Sequence, residues 1–308
     1  MISVLIPAWN EEQHIRDCIE SVVEQDTDHE YELIVVDDNS TDSTPEKLQI
    51  LSRRHDITIL TNDKNRGVLG STQRAYSESS GEFVLRLDAD STLKPGSIDA
   101  IHRELQAYDI VYGKVYVSNT DKLHPAACAV GKERGNGSYY GAGCVALRRE
   151  IVKNFGGFDN LRQNVEIEVI NLAPKHGWTV QKTPDVAIDS AFPESIREWL
   201  PRKLTSGAIY LRECADNPSE FKPLELRGPL FWTVTLGIGV VQPLLALLLV
   251  TILFTLHWED AKQVAIVSGK ARHLWAYPLY KMVGGVARTA GVIRESPLLL
   301  NILRRKYA

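Results

Sequence analysis

The sequence is short of the features that mark several function classes. It has no basic excess: 35 Lys and Arg stand against 39 Asp and Glu, a formal net charge of −4, and the pI is near 6.1. Nucleic-acid binding needs a strongly basic face, so no nucleic acid is expected as a partner. Only four cysteines occur, Cys18, Cys128, Cys144 and Cys214, with no C-x-x-C spacing. Neither a zinc site nor a disulfide framework is built that way, and reduced thiols in a cytoplasmic compartment fit. The opening "MISVLIPAWNEE" lacks the basic n-region and long apolar run of a secretory signal and reads as a first strand. No Gly-rich loop with a basic residue follows that strand, which counts against a nucleotidyltransferase.

At 308 residues and 44% hydrophobic content, the chain can bury the core of one large or two modest domains. The apolar content is uneven. Residues 230–256 carry no charge, a run longer than the roughly 20 residues that cross a bilayer core. Residues 228–257 are therefore expected to form a transmembrane or re-entrant segment. Pro243, near its middle, removes a backbone donor and either kinks one helix or separates two short ones. Basic residues flank both sides, among them Arg212 and Arg227 before and Lys262 and Arg272 after; if both flanks are cytoplasmic, the re-entrant form gains weight. Residues 258–308, with Lys281, Arg288 and Arg294 spaced through apolar sequence, are expected to lie on the membrane surface.

Residues 1–217 alternate short apolar runs with polar helical stretches: "ISVLIP", then "EEQHIRDCIESVVEQ", then "YELIVVDD", and so on to "EFVLRLDAD". Strands spaced by helices imply right-handed βαβ units, hence an α/β fold with a mainly parallel sheet. Ligands of such sheets sit outside the carboxyl ends of the strands. Those ends read "PAWNEE", "VDDNSTD" and "LDADS". Carboxylates gathered on one rim repel unless neutralised, and hard oxygen ligands suit Mg²⁺ or Mn²⁺. Asp42 also reads as a cap for the helix that follows it.

The ordered motifs "VLIPAWNEE", "IVVDDNSTD", "NRGVLGSTQRA", "LRLDAD" and "YYGAGCVALRREIVKNFGGFD", followed by an acidic helix, closely resemble the inverting, membrane-associated family-2 glycosyltransferases of GT-A fold. The resemblance covers roughly residues 2–207. It implies a Rossmann-like GT-A sheet in which Pro7 and Ala8 shape the nucleotide pocket and Glu11 lies near the nucleotide. Asp38 accepts from the base or ribose, and Arg74 lies close to the base, although Ala75 stands where the family usually has Asn. Asp90 matches the ligand of a divalent cation, Mn²⁺ or Mg²⁺, and Asp88 the acid that holds the ribose or a metal-bound water. Gly141, Ala142 and Gly143 match the stretch lining donor sugar and acceptor. The family takes its base from an E-D pair at a helix start; here that position falls on Glu166, preceded by Val165, and Glu168 is a second candidate.

A helix at about 193–215 resembles the family's interfacial helix without its full Q-x-x-R-W motif. Arg202 and Lys203 either hold the diphosphate or snorkel, and Trp199 suits headgroup level. The implied function is inverting transfer from a nucleoside-diphosphate sugar, a UDP-sugar first and GDP-mannose second, to a lipid-linked acceptor. The reaction is placed at the cytoplasmic face of the cell membrane. The alternative is a catalytically inactive GT-A scaffold or sugar-nucleotide-binding protein.

Overall fold

The structure, a computed structural model, describes residues 1–134, 140–161, 165–201, 204, 251–252 and 254–294. The chain divides into two compact units: Met1–Ser118 with Gly135–Ala191, and Asn119–Arg134 with Phe192–Ala308. The expected boundary near residue 217 lies outside the described residues.

The first unit holds eight strands: β1 (Ile2–Ala8), β2 (Tyr31–Asp37), β3 (Thr58–Thr61), β4 (Phe83–Leu87), β5 (Ser91–Leu93), β6 (Ile110–Val117), β7 (Tyr140–Arg148) and β8 (Val180–Ser190). They form one sheet in the order β3-β2-β1-β4-β7-β6-β8-β5. From β3 to β4 every pairing is parallel, as the strand–helix alternation predicts. The expectation of a mainly parallel sheet fails beyond β4, where β4–β7, β6–β7 and β5–β8 are antiparallel and only β6–β8 is parallel. The sheet is mixed. The reason is that the βαβ rhythm stops there: β5 follows β4 after three residues, and the helix between β6 and β7 belongs to the second unit. The handedness rule for crossovers then applies only to the parallel pair β6–β8.

Period-2 alternation sends β1 residues to two cores. Ile2, Val4, Ile6 and Ala8 join Ile15, Cys18, Ile19 and Val22 of α1 (Ile15–Val23), Leu48 and Leu51 of α2 (Thr44–Ser52), and Ile98 and Ile101 of α4 (Ser97–Ala107). Leu5 joins Ile34, Val36 and Val84 on the other face, against Ala75 of α3 (Gly67–Glu78), Ile151 of α6 (Arg149–Asn154) and Val169 of α7 (Val165–His176). Each buried Val, Leu or Ile among them contributes about 1.5–3 kcal/mol. The sheet is thus rigid on both faces, and its strand ends become fixed mounting points.

In the second unit, α5 (Leu123–Arg134), α8 (Trp258–Ser268) and α9 (His273–Arg294) pack through Ala126, Ala127, Val130, Ala261, Val264 and Tyr277. Residues 196–201 are helical. Trp199, expected at headgroup level, is 3% exposed and stacked on Tyr280 at 4.7 Å. Gly284 makes this seat, since a Cβ there would stand 2.9 Å from the indole. Exposed apolar side chains do occur on this unit, including Leu256, Ile266, Trp275 and Leu279. Among the described residues no helix is long and apolar enough to cross a membrane. The expected segment 228–257 and most of the expected helix 193–215, with Arg202 and Lys203, lie outside the described residues.

Candidate active site

The loops after β1 and β2 are laced together by short polar side chains. Asn10 Oδ1 accepts from the Thr41 amide at 2.8 Å, and the Asn10 amide donates to Ser40 Oγ at 2.9 Å. The Glu11 amide donates to Thr44 Oγ1 at 2.8 Å. Asp42 accepts from the amides of Thr44 and Glu12 at 3.0 and 3.1 Å, so it holds the first amide of the helix from one residue before the N-cap, which is Ser43 rather than the expected Asp42. Burial alone would raise the Asp42 carboxyl, but these bonds hold it below its ordinary value. Asn10 and Asn39 adopt φ of 56° and 61°, a left-handed conformation that Asn tolerates better than most residues.

Asp38 is 3% exposed and already holds three donors. Its Oδ1 accepts from Asn62 Nδ2 and the Arg66 amide, both at 2.7 Å, and Oδ2 accepts from the Gly67 amide at 2.8 Å. A carboxylate has about four acceptor positions, of which these donors take three. Asn62 passes the connection on, its Oδ1 accepting from Arg74 at 2.7 Å. Asp38 and Arg74, distant in sequence, therefore belong to one buried network that also anchors the start of α3. Pro7 and Ala8 end β1 beside it, and the Ala8 carbonyl accepts from the Asp38 amide at 2.8 Å.

The D-A-D turn closes β4. The Asp88 carboxylate pairs with the Arg86 guanidinium, and the Asp88 amide donates to the Gly143 carbonyl at 3.1 Å. Asp90 Oδ1 accepts from Ser91 Oγ at 3.2 Å, and its carbonyl accepts from the Ala191 amide at 3.1 Å. Beneath the turn, Cys18 Sγ donates to the Asp88 carbonyl at 3.5 Å. Burial pushes the Cys18 thiol well up, and the carboxylates of Asp90, Asp88 and Glu11 push it further. These acids come from the ends of β1 and β4; the expected convergence of a third acid-rich end, that of β2, on the same point is not among these effects. Among the described residues no three acidic, His or Cys side chains close on a single point. Two hard carboxylates nevertheless fit a cation of the Mg²⁺ type, which takes one or two protein carboxylates and completes its shell with water and substrate phosphate.

Gly143 has φ +80°, and a Cβ there would lie 2.4 Å from Asp88 Oδ2. Gly141 and Ala142 sit in β7, and their side-chain surroundings lie outside the described residues. The "GGFD" turn is clasped from α3: Gln73 Oε1 accepts from the Phe158 amide at 2.7 Å, and a Cβ on Gly157 would meet it at 2.6 Å. Glu166 falls in the first turn of α7; its side chain lies outside the described residues, and Glu168 is half-buried. Sequence reasoning missed Arg86, Cys18 and Asn62. Only Arg86 left a signal, as one charge inside an apolar strand.

The Glycosyl transferase family 2 profile matches residues 3–156, which is half of the 308 residues. A dolichol-phosphate mannosyltransferase of Pyrococcus furiosus is 31% identical over 117 residues, covering 38% of this chain and 33% of the relative. An undecaprenyl-phosphate 4-deoxy-4-formamido-L-arabinose transferase of Yersinia pestis is 30% identical over 168 residues, 49% of this chain and 50% of the relative. The chain thus spans a third to a half of the length of these curated relatives. A mannosyltransferase from Pyrobaculum calidifontis, solved in complex with GDP-Man and Mn²⁺, shares the fold at a TM-score of 0.64 and 19% identity, over 95% of this chain and 86% of that one. With half its length matched by the family profile and its acid-bearing strand ends carried on a shared fold, the chain belongs to glycosyl transferase family 2.

Proposed function

We propose that the chain transfers a sugar, with inversion, from a nucleoside diphosphate to a lipid-linked acceptor at the cytoplasmic face of the cell membrane. The donor is a UDP-sugar as first choice and GDP-mannose as second. The observation that carries this reading is the D-A-D turn mounted at the end of β4, with Asp88 paired to Arg86 and packed against the bare backbone of Gly143. The breaking glycosidic bond leaves charge on the departing diphosphate. A Mn²⁺ or Mg²⁺ ion held by Asp90 and Asp88 would supply Lewis-acid stabilisation of that charge.

The remaining steps belong to the protein. Pro7, Ala8 and Glu11 frame the nucleotide, Asp38 offers its last acceptor position to base or ribose, and Arg74 flanks the base. Gly141, Ala142 and Gly143 let backbone approach the donor sugar, and Arg202 and Lys203 steady the diphosphate. Glu166, at the start of α7, takes the acceptor proton as oxygen attacks the anomeric carbon, with Glu168 as the second candidate.

The lipid-linked acceptor is supported by the names of the two relatives. The apolar side chains exposed on the second unit, Leu256, Ile266, Trp275 and Leu279, support membrane attachment. In this reading residues 1–217 are the catalytic domain, 193–215 an interfacial helix, 228–257 the membrane segment and 258–308 a surface-lying tail.

The test supplies the purified chain with labelled UDP-sugars or GDP-mannose, MnCl₂ and polyprenyl phosphate in lipid vesicles. Expected is a lipid-extractable product with the anomeric configuration inverted, abolished in Glu166→Gln while donor binding persists. Unchanged turnover in that variant would sink Glu166 as base. Donor binding with no transfer to any acceptor would favour the sugar-nucleotide-binding alternative.

A further inference from the structure

Strand β4, Phe83-Val84-Leu85-Arg86-Leu87, is buried at every position yet carries a cation. Arg86 is 5% exposed, and period-2 alternation puts it on the face of Val84, which belongs to the core shared with α3. An aliphatic residue would fill such a place at no electrostatic cost, whereas a buried guanidinium is expensive unless paired. One ionic partner is Asp88, whose side chain remains 35% exposed. The carboxylate is therefore held from the buried side by Arg86 on Oδ1. Oδ2 stands against the bare backbone of Gly143, where any Cβ would approach to 2.4 Å.

We propose that Arg86 is a positioning residue for the transfer. It fixes the orientation of Asp88 and cancels one of the two negative charges of the D-A-D turn. This rests on the reading of Asp88 and Asp90 as the donor and metal acids. The charge arithmetic gives the proposal a distinctive signature. A free divalent cation carries +2 and is drawn more strongly to a turn of charge −2 than to one of −1. A nucleoside diphosphate with its metal is net anionic and is repelled more by −2 than by −1. Arg86 thus disfavours the bare ion and favours the ion that arrives with diphosphate. At contact distances in a partly hydrated cleft, one unit charge changes each affinity roughly tenfold. General loss of structure would weaken both.

The experiment uses the full chain and the variants Arg86→Met, Arg86→Lys, Asp88→Asn and the double variant Arg86→Met/Asp88→Asn. Mn²⁺ binding is followed by the electron-spin signal of the free ion, and binding of UDP and GDP at saturating MnCl₂ by calorimetry. Arg86→Met is expected to bind Mn²⁺ alone roughly tenfold tighter and the metal–nucleotide roughly tenfold weaker. Arg86→Lys, which keeps the charge, should return both towards wild type. By the same charge count, loss of Arg86 in the Asp88→Asn background should again weaken metal–nucleotide binding roughly tenfold relative to Asp88→Asn alone.

Weakening of both ligands in a folded Arg86→Met, or no further loss of nucleotide binding when Arg86→Met is added to Asp88→Asn, would overturn the proposal. If Arg86→Met does not fold, Arg86→Lys decides: metal binding and nucleotide binding weakened together contradict the charge role. A wild-type chain that binds neither nucleotide with Mn²⁺ refutes the donor-site reading itself. A wild-type chain that binds, with Arg86→Met unchanged, refutes only this inference.

Discussion

Replacing Gly143 by alanine probes the candidate site through a single methyl group. Two terms add. The backbone sits at φ +80°, where a Cβ costs about 1–2 kcal/mol. The new atom would also stand 2.4 Å from Asp88 Oδ2, 3.1 Å from its Cγ and 3.2 Å from its Cβ. Asp88 is tied to Arg86 and cannot swing away freely, so overpacking adds about 1–3 kcal/mol. The sum, about 2–5 kcal/mol, corresponds to a fall in Tm of about 4–20 °C for a unit of this size. Gly96 provides the control. It has φ +78° with nothing within 4 Å of an added Cβ, so Gly96→Ala should lose only the backbone term, about 2–8 °C. Differential scanning fluorimetry of both variants, with and without MnCl₂ and nucleotide, separates the two effects. Gly96→Ala should keep the ligand-induced rise in Tm, and Gly143→Ala should lose most of it. Equal falls in the two variants, or a full ligand response in Gly143→Ala, would refute the packing of Gly143 against a functional carboxylate.

Asp38→Asn should turn an amide NH₂ against one of three donor groups, the Asn62 amide or the Arg66 and Gly67 backbone N–H, costing about 1–3 kcal/mol. Urea unfolding should show a lower midpoint at unchanged slope. The pH dependence follows from His102, whose pKa is lowered first by burial and then by His29 and the N-terminal amine, against smaller opposing effects of Glu82 and Asp99. A depressed histidine binds its proton less readily folded than unfolded. Its stability contribution is therefore complete above about pH 6.5 and declines as pH falls below it. His273 is lowered in the same direction, again first by burial. Tm should accordingly be lower at about pH 5.5 than at about pH 7.5, with His102→Gln removing part of the difference. A Tm that rises on acidification through this range would contradict the sign.

The parts of the fold that were legible in the sequence are those built from local pattern. Apolar runs marked β1, β2 and β4, and because the first four-strand half is parallel, their carboxyl ends carry the acids at Glu11, Asp38, Asp88 and Asp90 that the motifs singled out. What local pattern does not record is pairing between distant segments. The antiparallel β7 enters between β4 and β6 through contacts such as Leu85 with Ala146, and no periodicity in either strand states the direction. Trp199 has an amphipathic neighbourhood in sequence, but its burial depends on Tyr280 and Gly284, more than eighty positions away. Asn62 gave no sign of joining Asp38 to Arg74, because an Asn after a strand usually marks a turn. Cys18 stood out in the sequence only as one of four widely spaced cysteines, and only the fold sets it beneath the D-A-D turn.

The most direct test of the account is thermal stabilisation of the detergent-purified chain by UDP-, GDP- and CMP-sugars, each with Mn²⁺, Mg²⁺ or EDTA, beside the Asp90→Asn variant. Ligand that binds the folded state alone must raise Tm by linkage. The account predicts a rise with one nucleotide class, UDP or GDP, that disappears with EDTA and in Asp90→Asn. A rise unaffected by EDTA and by Asp90→Asn, or no rise with any sugar nucleotide, would contradict a metal-dependent donor site at the end of β4.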